Sequence, residues 1–101
     1  MVIGVLTIKI YLPWVHSLKE KRSVLKSIMS KTGKRFNISI AEIDHQDTLQ
    51  TIAIGIAGIA ANAALANSVL DKILNFIENN SDGELIDIRR EIILINKLYH
   101  N

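Results

Sequence analysis

Cysteine is absent from the 101 residues. That removes disulfides, iron–sulfur ligation and thiolate zinc sites in one step. Three histidines are present, His16, His45 and His100. None stands in HxxH or HExxH spacing, so no familiar zinc helix is written into the chain. Glycine-rich phosphate loops, nucleophile elbows and paired CxxC motifs are also missing. No apolar run approaches the roughly 20 residues that a membrane-spanning helix needs. The longest, from Ile52 to Ala61, is interrupted by Asn62 before Ala63 to Ala66. The N-terminal segment alternates apolar and polar residues around Lys9 and lacks the composition of a signal peptide. A soluble, cytoplasmic protein with no membrane contact and no cofactor is therefore expected.

What is present suffices for one domain, residues 1–101, with 49% hydrophobic side chains. A chain of this length buries roughly two-thirds of its unfolded surface without help from metal or disulfide. Charge is segregated. Eight of the twelve Lys/Arg fall in residues 1–35 against Glu20 alone, whereas residues 36–101 carry four bases and nine acids. The near-neutral total thus conceals one strongly basic region, which points to a charged face.

Hydrophobic periodicity assigns the elements. Met1 to Leu12 alternates, with Val2, Leu6, Ile8, Ile10 and Leu12 in one phase, as a strand does. Pro13 ends it for want of a ladder donor. Ser17-Leu18-Lys19-Glu20 is a capping box that opens a helix carrying Leu18, Leu25, Ile28 and Met29 on one side. That helix is expected to stop near Thr32-Gly33, where glycine can take the left-handed conformation. Phe36, Ile38 and Ile40 alternate as a second strand, and His45-Gln46-Asp47 reads as a polar turn. Thr51 to Ile59 forms a third strand, with Ile52, Ile54 and Ile56 opposite Ala53, Gly55 and Ala57.

Asn62 caps a second helix with an apolar stripe of Ala66, Val69, Leu70, Ile73, Leu74 and Ile77. After the Asn79 to Gly83 loop comes a last strand, Leu85 to Ile95. Its alternation changes phase, and a β-bulge near Arg89-Arg90 would reconcile the two halves. The order β-α-β-β-α-β is that of the ferredoxin-like α+β fold, a four-stranded antiparallel sheet with two helices on one face. Right-handed crossovers put the two most apolar strands, the first and third, at the centre.

The basic helix is the sharpest functional feature. At 100° per residue Lys19, Arg22 and Lys26 fall within about 60° of one another. Lys31, Lys34 and Arg35 carry positive charge to the helix end and beyond. A ridge of this kind can neutralise successive phosphates of a nucleic acid. It is equally the composition of a solvated helix face whose last-turn cations favour the helix dipole. Reading RNA on the sheet itself would need stacking aromatics on the third strand, and Gln50 to Ile56 has none. The acylphosphatase phosphate loop is likewise missing after the first strand, where the chain reads Tyr11-Leu12-Pro13-Trp14.

Other residues admit two readings each. Glu42, Asp44, His45 and Asp47 are hard-cation ligands and a base, projecting from one strand end, or plain turn residues. The Ala53, Gly55, Ala57 stripe permits close approach by a helix, a partner or a ligand. Trp14 is a loop anchor over the core or a recognition residue. Arg89 and Arg90 extend a basic surface or are solvated.

Two stretches, His16-Ser17-Leu18-Lys19-Glu20-Lys21-Arg22-Ser23-Val24-Leu25 and Phe36-Asn37-Ile38-Ser39-Ile40-Ala41-Glu42-Ile43-Asp44, together resemble the YlxP-like family, a bacterial family of unknown function. The likeness extends over most of the chain, though Leu49 stands where a tryptophan belongs. It implies a ferredoxin-like fold and a loose genomic association with translation, and it brings no catalytic residues. The first functional expectation is a non-enzymatic accessory factor that binds RNA or a ribosomal particle through Lys19, Arg22, Lys26, Lys31, Lys34 and Arg35. The alternatives are a homodimeric interaction module joined through the open sheet face, and a metal-dependent hydrolase using the acidic turn.

Overall fold

A computed structural model describes residues 1–45 and 48–96. Six elements follow one another: β1 (Val2–Tyr11), α1 (Leu18–Arg35), β2 (Ser39–Asp44), β3 (Thr51–Ala60), α2 (Ala63–Asn80) and β4 (Glu84–Leu94). They form one antiparallel sheet in the order β2-β3-β1-β4. The fold is α+β and ferredoxin-like.

The alternation read from the sequence divides the sheet into two faces. Leu6, Ile8 and Ile10 of β1 and Ile52, Ile54 and Ile56 of β3 are buried with Leu25 and Ile28 of α1 and Leu70, Ile73 and Ile77 of α2. Both helices therefore cover the same face. Removing this apolar surface from water is the main stabilising contribution, on the order of 2 kcal/mol per fully buried Leu or Ile.

The other face is open and reads in rows across β3, β1 and β4. Ile59, Ile3 and Ile93 form one row, and Ala57, Val5 and Glu91 the next. Gly55, Thr7 and Arg89 follow, then Ala53, Lys9 and Asp87. The small-residue stripe of β3 thus belongs to the open face.

Local chemistry sets the boundaries. Ser17 Oγ accepts the Glu20 N–H at 3.1 Å, while Glu20 Oε1 accepts the N–H of His16 at 2.8 Å. The reciprocal cap forms, but Glu20 reaches one residue further back than a standard box. Asn62 Oδ1 caps α2 by accepting from the Leu65 amide at 2.9 Å. Gln50 holds the β1–α1 connection by donating to the carbonyls of Pro13 at 2.9 Å and Val15 at 3.1 Å.

Three boundary expectations are corrected. α1 runs through Gly33 to Arg35, and no described glycine has a positive φ. The Phe36 N–H closes onto the Thr32 carbonyl at 3.1 Å, and the Phe36 ring meets Phe76 edge-on at 5.7 Å, so the aromatic anchor sets the stop. The bulge of β4 lies at Ile86, where the register with Lys9 and Ile10 slips, and pairing is continuous through Arg89 and Arg90. The phase change there reflects an edge strand with Arg90 on the helix-covered face. Its guanidinium bonds Asp71 Oδ1 at 2.7 Å and Asn67 Oδ1 at 3.0 Å on α2. Finally, β2 begins at Ser39, because Asn37 and Ile38 instead close over Gly58, which has no side chain to resist them.

Candidate nucleic-acid interface

The candidate surface is built by α1 and by what holds it down. Leu25 and Ile28 are buried in the core, and the Thr32 hydroxyl donates to the Ile28 carbonyl at 2.7 Å. With that side fixed, Lys19, Arg22, Lys26, Lys31, Lys34 and Arg35 are all exposed. Among the described residues none of the six forms an ion pair. The described pairs lie elsewhere, with Arg89 Nε 3.6 Å from Asp87 and Arg90 Nη2 2.7 Å from Asp71.

The six cations do not share one stripe. Helical geometry sets Lys19, Arg22 and Lys26 on the flank towards β2, where Arg22 and Lys26 border Met29 and Ile40. Lys31 and Arg35 sit roughly 140–180° away around the helix. Lys31 borders a shallow groove with Trp14 and Asp82, and Arg35 borders another with Phe36 and Val69. Lys34 lies between the flanks. Trp14 is 37% exposed and lines the Lys31 groove with Val24 and Ile28 of α1, at the edge of the core rather than within it.

Part of the acidic half of the sequence gathers on the open face. Glu84, Asp87 and Glu91 share the open-face rows with Tyr11, Lys9 and Val5, and Asp44 pairs with Ala53 beside them. Lys9 and Arg89 share that face, and Glu42, Asp71 and Glu78 lie on the helix-covered side, so the segregation along the chain is only partly reproduced between the two sides of the sheet.

Sequence reasoning passed over Lys21, which is only 2% exposed. Its Nζ donates to the carbonyls of His45 and Thr48, stapling the β2–β3 loop to α1. The signal was available. Lys21 falls about 20° from Ile28 and 40° from Leu25 around the helix, on the apolar stripe. In a cation-rich segment it reads as one more surface charge, yet it is a structural donor.

The acidic turn is not assembled as expected. A register shift at Ile43 separates Glu42 from Asp44. Glu42 pairs with Ile54 on the covered face and Asp44 with Ala53 on the open face, so the two carboxylates project from opposite sides. The bulged Ile43 rests over Gly55. His45 has a φ of 60° and donates its N–H to Asp44 Oδ1 at 2.8 Å, an arrangement that turns the chain. His45 Nε2 is buried and has no hydrogen-bond partner among the described residues, the Asp44 carboxylate standing 4.0 Å away. No group of three metal-ligating side chains occurs among the described residues, and Asp47 lies outside them. No described helix is long and apolar enough to cross a membrane.

Fold and surface define a small ferredoxin-like domain with a cationic first helix. The chain belongs to the family described as "Protein of unknown function (DUF503)", whose model matches residues 3–90. It is similar to a Bacillus subtilis (strain 168) protein titled "Uncharacterized protein YlxP", with 40% identity over 75 residues. That alignment covers 74% of this chain and 82% of the relative, in agreement with the family resemblance of its two motifs.

Proposed function

We propose that the protein is a non-enzymatic accessory module that binds RNA, free or within a ribosomal particle, through α1. The observation that carries this reading is the set of six exposed cations on one helix without a described carboxylate partner. Ion pairing would have discharged such a surface internally. Left unpaired, each cation can displace a counterion from a phosphate backbone.

Titration of the protein with labelled RNA over a range of salt tests the proposal. Binding should weaken on a log–log plot with a slope of about −0.9 per duplex phosphate neutralised. Replacing Lys19, Arg22 and Lys26 by glutamate should abolish binding while leaving the circular dichroism spectrum unchanged. Salt-independent affinity, or no binding at low salt, refutes it.

A second reading rests on the isoleucine row. Ile59 is 72% exposed and Ile93 40%, side by side with Ile3 on an uncovered sheet face. Exposed apolar patches of this kind commonly meet a partner, and here a second copy is proposed. The small residues Ala57 and Ala41 would let the opposing face approach closely. Sedimentation equilibrium should then detect self-association that Ile59→Lys removes. A strict monomer at high concentration rejects it.

A further inference from the structure

We infer that the nucleic acid taken by α1 is double-stranded RNA, engaged across its minor groove without sequence readout; this rests on the RNA reading above and narrows it. The crest of α1, the side opposite Leu25 and Ile28, carries Ser23, Ser27 and Ser30 along its middle and Lys34 at its C-terminal end, all exposed. By helical geometry these serines fall within about 60° of one another, between the two cationic flanks. The flanks are staggered along the axis as well as around it. Lys19, Arg22 and Lys26 occupy the first half on one side, and Lys31 and Arg35 the second half on the other.

A helix laid obliquely across a groove meets one phosphate strand with its first half and the opposite strand with its second half, on opposite sides. The stagger reproduces that demand. From Lys19 to Arg35 the axis rises about 24 Å, enough to cross from one strand to the other. Low, hydroxyl-bearing side chains between the cations suit the wide, shallow minor groove of A-form RNA, whose floor displays 2′-hydroxyls. Serine both donates to and accepts from such a hydroxyl. No Asn or Gln, the usual bidentate readers of bases, stands on the crest, so shape and backbone carry recognition.

Single strands require something different. Their bases are held by stacking on aromatic platforms. Among the described residues one aromatic borders the crest, Trp14, which lines a groove with Ser23, Ser27 and Lys31. Tyr11 is on the open sheet face, and Phe36 and Phe76 pack on each other, so no run of platforms awaits successive bases.

The test compares three labelled probes by fluorescence anisotropy at one low salt concentration. They are a blunt RNA duplex of roughly 20 base pairs, one of its strands alone, and the DNA duplex of the same sequence. The RNA duplex should bind at least about tenfold more tightly than either competitor. Ser23→Phe combined with Ser30→Phe raises the crest without altering charge, and should lose the duplex preference while retaining weak, salt-sensitive binding to the single strand. Equal affinity for the single strand or the DNA duplex overturns the inference but leaves RNA binding by α1 standing. So does a crest variant that binds the RNA duplex undiminished. If none of the three probes binds, the proposed function itself fails.

Discussion

Replacing Lys21 by methionine separates architecture from charge on the helix that matters most. The lysine is 2% exposed, and its Nζ donates to two carbonyls of the β2–β3 loop. Hydrogen bonds to a charged group contribute about 1.5–3 kcal/mol each, so two give roughly 3–6 kcal/mol before offsets. Methionine fills similar space and removes the cost of desolvating an amine, which returns part of that sum. Water reaches part of the vacated site, because Thr48 is exposed and His45 only half-buried. The net loss expected is about 2 kcal/mol, a sizeable share of the 5–15 kcal/mol typical of a domain.

Urea unfolding should show a lower midpoint with an unchanged slope. Thermal unfolding should shift down by roughly 10 °C. Lys26→Gln, which removes an exposed charge from the same helix, should leave both curves in place and weaken RNA binding. The reasoning is refuted if Lys21→Met costs less than about 0.5 kcal/mol. It is refuted equally if that substitution weakens RNA binding as Lys26→Gln does without altering stability.

Two further outcomes test the packing. A Cβ added at Gly83 would stand 2.7 Å from Leu12 Cδ2 and 3.0 Å from the Tyr11 carbonyl oxygen, and would also strike the Ile10 methyl. Because β1 backbone cannot retreat, Gly83→Ala should destabilise by about 2–3 kcal/mol in chemical denaturation. A double-mutant cycle on Arg90 and Asp71, 2.7 Å apart across β4 and α2, should return a coupling of about 0.5–1 kcal/mol at low salt that shrinks as salt rises.

Much of this molecule was legible in its residues because periodicity reports burial directly. The isoleucines of β3 and the alternating apolar residues of β1 specified a central pair of strands and a covered face, and both hold. Asn62 and Ser17 marked the two helix starts, since a side-chain acceptor ahead of an apolar stripe has few other uses. The misreadings arose where tertiary contact outweighs local preference. Gly33 offered a helix stop that the Phe36–Phe76 contact overrode. Arg90 broke the alternation of β4 because its partner sits on α2, far away in sequence. The shift at Ile43 sent Glu42 and Asp44 to opposite faces, and a strand's period cannot announce a bulge. For the candidate site, the types of residue were readable but their division between two flanks emerged only by following each around α1. Lys21 was the instructive failure, being counted by its charge when its position assigned it to the interior.

With the α1 cations above one face and an excess of carboxylates on the other, where Asp44, Glu84, Asp87 and Glu91 outnumber Lys9 and Arg89, the sheet also behaves as a compass. In the field of a large polyanion the two sides experience opposite forces, and the resulting torque turns the molecule helix-first during approach. Orientation is thereby settled before contact, and fewer encounters are wasted on the wrong side. The same rotation directs the Ile3, Ile59 and Ile93 row away from the anion, so whatever that row meets must arrive from the solvent side.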